Sequence, residues 1–175
     1  MTPTRSCEAY IDGASHGNPG PAGIGVVFFD PTTSCWPCAK RTAADSIGSA
    51  AVQRTAGAAR GGGVGGQVNP VRQVSHYIGE TTNNVAEYTA LIYALQEALH
   101  EGCTDVTVKT DSELLVRQLS GRYKVRDPWL RLLHGLVLHA ARGFVSWRVE
   151  HVPRTQNRLA DRLAGQAARK GSGLR

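Results

Sequence analysis

The sequence predicts an α/β protein: a five-stranded mixed sheet flanked by helices. Three observations lead there. Five short segments have the length and apolar character of strands. Residues 85–100 repeat apolar side chains at helical spacing. The element order, β-β-β-α-β-α-α-β-α, suits a mixed sheet covered by helices.

Residues 8–12, EAYID, form a short apolar-rich strand, and residues 13–23, with the run Asn18-Pro19-Gly20-Pro21, are turn chemistry. Residues 24–29, IGVVFF, make a strongly apolar second strand, and residues 74–78 resume strand character. Between them lies a stretch containing GSAAVQRTAGAARGGGVGGQ, without period and dominated by Ala, Gly, Ser and Arg. Residues 31–72 are therefore predicted as a flexible insert within the hairpin of strands two and three. From residue 85 to 100 the apolar residues Val85, Tyr88, Leu91, Ile92, Leu95 and Leu99 mark an amphipathic helix that Gly102 stops. Residues 105–110, DVTVKT, alternate as a half-buried strand, and residues 112–119 start a second helix. Residues 128–141 make a third helix, with Pro128 tolerated in its first turn. Residues 144–151 form the last strand and residues 158–170 the last helix.

At 175 residues the chain is expected to form a single domain, residues 1–175, large enough for a core without staples. Its 41% hydrophobic and 19% charged residues describe a globular protein. No run approaches the roughly 18 apolar residues of a membrane span, and MTPTRSCEAY has no apolar export segment. Four scattered cysteines do not make a disulfide scaffold, which fits a reducing compartment, so a cytoplasmic protein is expected, without membrane contact; a monomer is expected as well. Charge is uneven: residues 1–116 hold 7 Lys/Arg against 11 Asp/Glu, whereas residues 117–175 hold 13 against 3. A basic C-terminal third suits a polyanion, although a solvated surface would look the same.

Four carboxylates lie on four different elements. Asp12 ends or lies within the first strand, Glu87 is in the first turn of the first helix, Asp111 is at the C-terminal edge of the fourth strand, and Asp161 is in the last helix. Strand ends and helix starts converge in such sheets, and converging carboxylates repel unless hard cations neutralise them. Magnesium is the natural candidate. Singly, each residue has a plainer reading: Glu87 complements a helix dipole, Asp111 caps the next helix, and Asp161 pairs with Arg158 or Arg162.

Jointly, the segments YIDGASHGNPGPAGIG around Asp12, GETTNNVAEYTAL around Glu87, KTDSELLVRQL around Asp111 and HVPRTQNRLADRLA around Asp161 resemble type 1 ribonuclease H, in the family's order. With the intervening elements the resemblance covers nearly all of the chain outside residues 31–72. It implies the ribonuclease H-like fold and endonucleolytic cleavage of the RNA strand of RNA/DNA hybrids, leaving 5′-phosphate and 3′-hydroxyl ends. It also implies that Asp12, Glu87, Asp111 and Asp161 bind two Mg²⁺ ions, with Mn²⁺ as a substitute, in a two-metal displacement. Asn83 and Asn84 match residues that contact the hybrid in its minor groove, Gly13 and Asn18 match positions of close substrate approach, and Thr82 matches a DNA-phosphate site. Helix capping is the other reading of Asn83 and Asn84.

His151 stands ten residues before Asp161, where many members carry a histidine that assists proton transfer or product release. Here Val-Pro-Arg follows it instead of a glycine-containing loop, so Arg154 is expected to hold phosphate. GRYKVRDPW replaces the basic protrusion of other members, as in a compact subtype, with Arg122, Lys124 and Arg126 as partial substitutes. The insert is a second departure, and its Cys35 and Cys38 resemble half a zinc site or a redox pair. The alternative reading is a module of the same fold that binds hybrid or double-stranded RNA without turnover.

Overall fold

The structure, a computed structural model, describes residues 5–29 and 70–172. The predicted insert, with Cys35 and Cys38, lies outside the described residues except at its C-terminal edge. There Val71 donates its N–H to the Phe28 carbonyl at 2.9 Å, and Arg72 is already the first residue of a strand.

Five strands form one sheet: β1 (Ser6–Ser15), β2 (Gly20–Phe29), β3 (Arg72–Thr81), β4 (Asp105–Thr110) and β5 (Ser146–His151). Their order is β3-β2-β1-β4-β5, with β1-β2-β3 antiparallel and β4 parallel to both β1 and β5. The helices are α1 (Asn83–His100), α2 (Glu113–Leu119), α3 (Pro128–Ala141) and α4 (Arg158–Ser172). A short 3-10 turn, Arg154–Gln156, precedes α4. Among the described residues no helix is long and apolar enough to cross a membrane.

The first three strands run longer than local composition suggests. Residues predicted as turn pair as strand, Gly13 with Ile24, Ala14 with Gly23 and Ser15 with Ala22. Glycine and alanine have weak strand preference, and here tertiary packing overrides it. A Cβ on Gly25 would stand 2.2 Å from the Ala160 carbonyl oxygen of α4. Bare backbone in β2 thus lets α4, the carrier of Asp161, lie directly on the sheet.

Alternation along β2 sends Ile24, Val26 and Phe28 to the other face. They join Ala9 and Ile11 of β1, Val106 and Val108 of β4 and the buried side of α1 in the main core. On α1 that side includes Ala86, Ala90, Ala94 and Ala98 beside Tyr88, Leu91 and Leu95. Val85, Ile92 and Leu99, expected to define the buried stripe, are only partly buried. A ridge of alanines four residues apart allows the close approach that larger side chains would prevent. Helix α3 packs on α1 through Leu130 and Val137.

Candidate active site

The four carboxylates are delivered by four elements. Asp12 lies within β1, Glu87 in α1, Asp111 directly after β4, and Asp161 in the first turn of α4. Two corrections concern how they arrive. Helix α1 begins at Asn83, two residues earlier than the apolar spacing indicates, because Thr82 is its N-cap and accepts from the Val85 N–H at 3.4 Å. Glu87 therefore lies beyond the first turn, where a helix dipole no longer explains it. Asp111 caps nothing, since Ser112 is the N-cap of α2.

Gly13 shows why Asp12 and Glu87 come together. A Cβ there would sit 2.3 Å from both the Ala86 carbonyl carbon and the Glu87 nitrogen, so only glycine lets β1 and α1 touch at this level.

Two of the carboxylates are shifted by burial and by their acidic neighbours. Asp12, 9% exposed, has its pKa pushed up to about 8, first by burial and then by Asp111, Asp161 and Glu87, with Arg154 opposing. Glu87 is pushed up to about 7 by burial, with Asp111 adding to the rise and hydrogen bonds from Ser112 and Asn83 restraining it. Buried like charges disfavour ionisation in this way, and a hard cation removes the conflict.

Neighbouring donors hold the carboxylates. Asn83 Nδ2 donates to Glu87 Oε1 at 3.0 Å, and the Ser112 hydroxyl donates to Glu87 Oε2. Asp161 Oδ1 accepts from Arg154 Nη2 at 2.5 Å, which replaces the expected pairing with Arg158 or Arg162. Among the described residues no three His, Cys, Asp or Glu side chains stand close enough to grip one ion as they are. The donor chemistry nevertheless fits magnesium: every candidate ligand is a hard carboxylate oxygen, and together they carry more negative charge than Arg154 balances.

The residues expected to meet substrate divide into two groups. Asn18, Thr82 and Asn84 line one open groove of about 710 Å³. Asn83 instead turns toward the carboxylates through Glu87, while its backbone N–H reaches Asn18 Oδ1 at 3.3 Å. Arg154 is exposed on the 3-10 turn beside Asp161. His151 ends β5 opposite Thr110, exposed, and among the described residues no hydrogen bond or ion pair joins it to a carboxylate. Arg122, Lys124 and Arg126 are exposed on the link between α2 and α3.

The family model described as reverse transcriptase-like matches residues 48–167. Ribonuclease HI of Halobacterium salinarum is 35% identical over 160 residues, covering 91% of this chain. The chain belongs to the ribonuclease H family. Among solved ribonuclease H structures, the N-terminal RNase H domain of Rv2228c from Mycobacterium tuberculosis superposes with a TM-score of 0.74 at 32% identity, covering 97% of this chain and 98% of that one. LC11-RNase H1 in complex with an RNA/DNA hybrid, a protein isolated from compost, superposes at 0.69 with 36% identity, covering 94% and 97%. The chain spans 63% of the length of the Halobacterium ribonuclease HI and 34% of the bifunctional protein Rv2228c.

Three residues of this ribonuclease H site escape a reading of the sequence. The sequence offers Asp111 as the cap of the next helix, and nothing local says that the Ser112 hydroxyl caps it or reaches Glu87, 25 residues away. Trp129 follows the helix-starting Pro128, is 70% exposed and lines the groove with Thr82 and Asn84. Asn157 lies within the quoted segment around Asp161 as an ordinary polar residue, and is 1% exposed.

Proposed function

We propose that the protein is a magnesium-dependent endonuclease that hydrolyses the RNA strand of RNA/DNA hybrids, leaving 5′-phosphate and 3′-hydroxyl ends. The observation that carries this reading is the gathering of Asp12, Glu87, Asp111 and Asp161 from four elements, where the Asp12 carboxyl is raised first by burial and then by the other three carboxylates. A packing role would not gather such groups, whereas a site for phosphodiester hydrolysis needs them. Asp12, Glu87, Asp111 and Asp161 would hold two magnesium ions, which would supply the Lewis acidity for activating water and stabilising the departing 3′ oxygen. The chain's own residues do the rest. Asn83 and Ser112 orient Glu87 without contributing positive charge. Arg154 sets a cation at the rim, where a phosphate oxygen can exchange for Asp161 as its partner. Asn18, Thr82 and Asn84 offer neutral polar groups to a strand in the groove, able to meet 2′-hydroxyls and phosphates.

Labelled RNA/DNA hybrid, single-stranded RNA, double-stranded RNA and duplex DNA, each incubated with the protein and Mg²⁺ or Mn²⁺, provide the test. The RNA of the hybrid should be cut at internal positions with 5′-phosphate ends, and the other substrates at least about a hundredfold more slowly. Tight hybrid binding without cleavage would establish the non-catalytic module instead. Equal cleavage of single-stranded RNA would point to another nuclease.

Trp129 adds a second expectation. An exposed indole on the groove wall is a surface on which a sugar or base can stack, worth about 1 kcal/mol or more. Trp129→Ala should raise KM for the hybrid roughly fivefold or more and leave kcat within twofold. Steady-state kinetics separates the two, and an unchanged KM would remove Trp129 from the substrate path.

A further inference from the structure

Asn157 joins three of the four carboxylate-bearing elements at one point. Its Nδ2 donates to Asp111 Oδ1 at 2.6 Å and to the carbonyl oxygen of Ile11, the residue before Asp12, at 2.8 Å. Its own carbonyl accepts the N–H of Asp161 at 3.1 Å, and its N–H closes the 3-10 turn onto Arg154 at 3.0 Å. A single buried residue thus touches Asp111 directly, β1 next to Asp12, and α4 at Asp161.

The orientation of its amide is determined by its neighbours. Ile11 O and Asp111 Oδ1 are both acceptors, so the NH₂ must face them; the reversed amide would set three acceptors against one another. Asn157 Oδ1 is then left buried without a hydrogen-bond partner among the described residues. An unsatisfied buried acceptor is unfavourable, and a residue selected for packing would avoid it. What asparagine offers in return is a neutral donor. Lysine or arginine in this place would also hold Asp111, but would add a fixed positive charge competing with a cation for the same carboxylates.

We infer that Asn157 is a positioning residue that clamps Asp111 to β1 by one oxygen, presenting Oδ2 to a divalent cation. This rests on the hydrolytic reading above but concerns a residue that touches neither substrate nor ion. Outer partners that orient ligands typically account for about 10- to 100-fold in ion affinity or activity.

The test uses Asn157→Ala and Asn157→Asp, the second nearly equal in volume to asparagine but unable to donate when ionised. Steady-state hydrolysis of hybrid gives kcat and KM, and calorimetric titration of each folded variant with MgCl₂ alone gives ion affinity without turnover. For Asn157→Ala, kcat should fall at least about tenfold with KM within threefold, and Mg²⁺ affinity should weaken about tenfold or more. Asn157→Asp should lose at least as much kcat, because its carboxylate repels Asp111 Oδ1. If Asn157→Ala folds with kcat or Mg²⁺ affinity within threefold of the parent, the inference is overturned. If Asn157→Ala fails to fold, Asn157→Asp decides by the same limit on kcat; if neither folds, the residue serves the fold alone and the inference is again overturned. Should the parent protein not cleave hybrid at all, the proposed function fails, while the MgCl₂ titrations still decide the role of Asn157.

Discussion

Asp111→Asn should lower the rate of hybrid cleavage by about 10³-fold or more while leaving the protein folded. The substitution is nearly isosteric, and the new amide oxygen can still accept from Asn157 Nδ2, so the bond that holds the side chain survives. What disappears is one negative charge. Asp111 is the largest carboxylate contribution to the raised pKa of Asp12, so removing it relieves repulsion at a buried group. The melting temperature of the metal-free variant should equal or exceed that of the parent, while single-turnover cleavage in saturating Mg²⁺ collapses. Cleavage within tenfold of the parent would show that Asp111 is no ligand. Loss of both activity and folding would show a structural role instead.

The metal-free protein should carry a stability contribution from Asp12 and Glu87 that falls as pH rises. Unfolded, these carboxyls ionise near their ordinary values of 3.8 and 4.5; folded, they keep their protons up to about 8 and about 7. Between pH 4 and pH 8 the native state therefore binds more protons than the unfolded state, and the slope of stability against pH from these groups is negative. The contribution is complete below about pH 4 and is lost through pH 7 to 8. Other groups titrate as well, so the informative quantity is the difference between Asp12→Asn and the parent, measured by urea unfolding in EDTA. The variant should gain on the parent between pH 5 and pH 8.5, on the order of 1 kcal/mol or more. Parallel curves would remove Asp12 from the cluster. Cation binding should reverse the effect and release about one to two protons per site at pH 7, which calorimetry in buffers of different ionisation enthalpy detects.

Much of the architecture is readable along the chain because it is local. The alternation of DVTVKT, Pro128 at a helix start and Gly102 after a helix end describe elements that form where expected, and the apolar spacing of residues 85–100 marks a helix that starts two residues earlier, at Asn83. The errors are local in origin too. Residues 13–15 and 20–23 look like turn because Gly, Ala and Ser have little strand preference of their own, and they become strand through pairing and contact with α4. Alanine reads as neutral in an apolar pattern, so the ridge from Ala86 to Ala98 that seats α1 is invisible until the sheet lies against it.

By itself the sequence determined most of the elements, their order and the placement of Asp12, Glu87, Asp111 and Asp161 on four of them, because periodicity and turn chemistry are properties of neighbouring residues. Only the tertiary structure decided how the carboxylates are held. The contacts from Ser112 to Glu87, Arg154 to Asp161, and Asn157 to both Asp111 and Ile11 depend on side-chain direction. It also decided that Gly13 is a spacer, since its need for a bare α-carbon arises from a helix more than seventy residues away. Distance along the chain is the physical reason for most of them: the hydrogen bonds from Ser112 to Glu87 and from Asn157 to Asp111 and Ile11 join residues 25 to 146 positions apart and exist only after packing has brought their elements together.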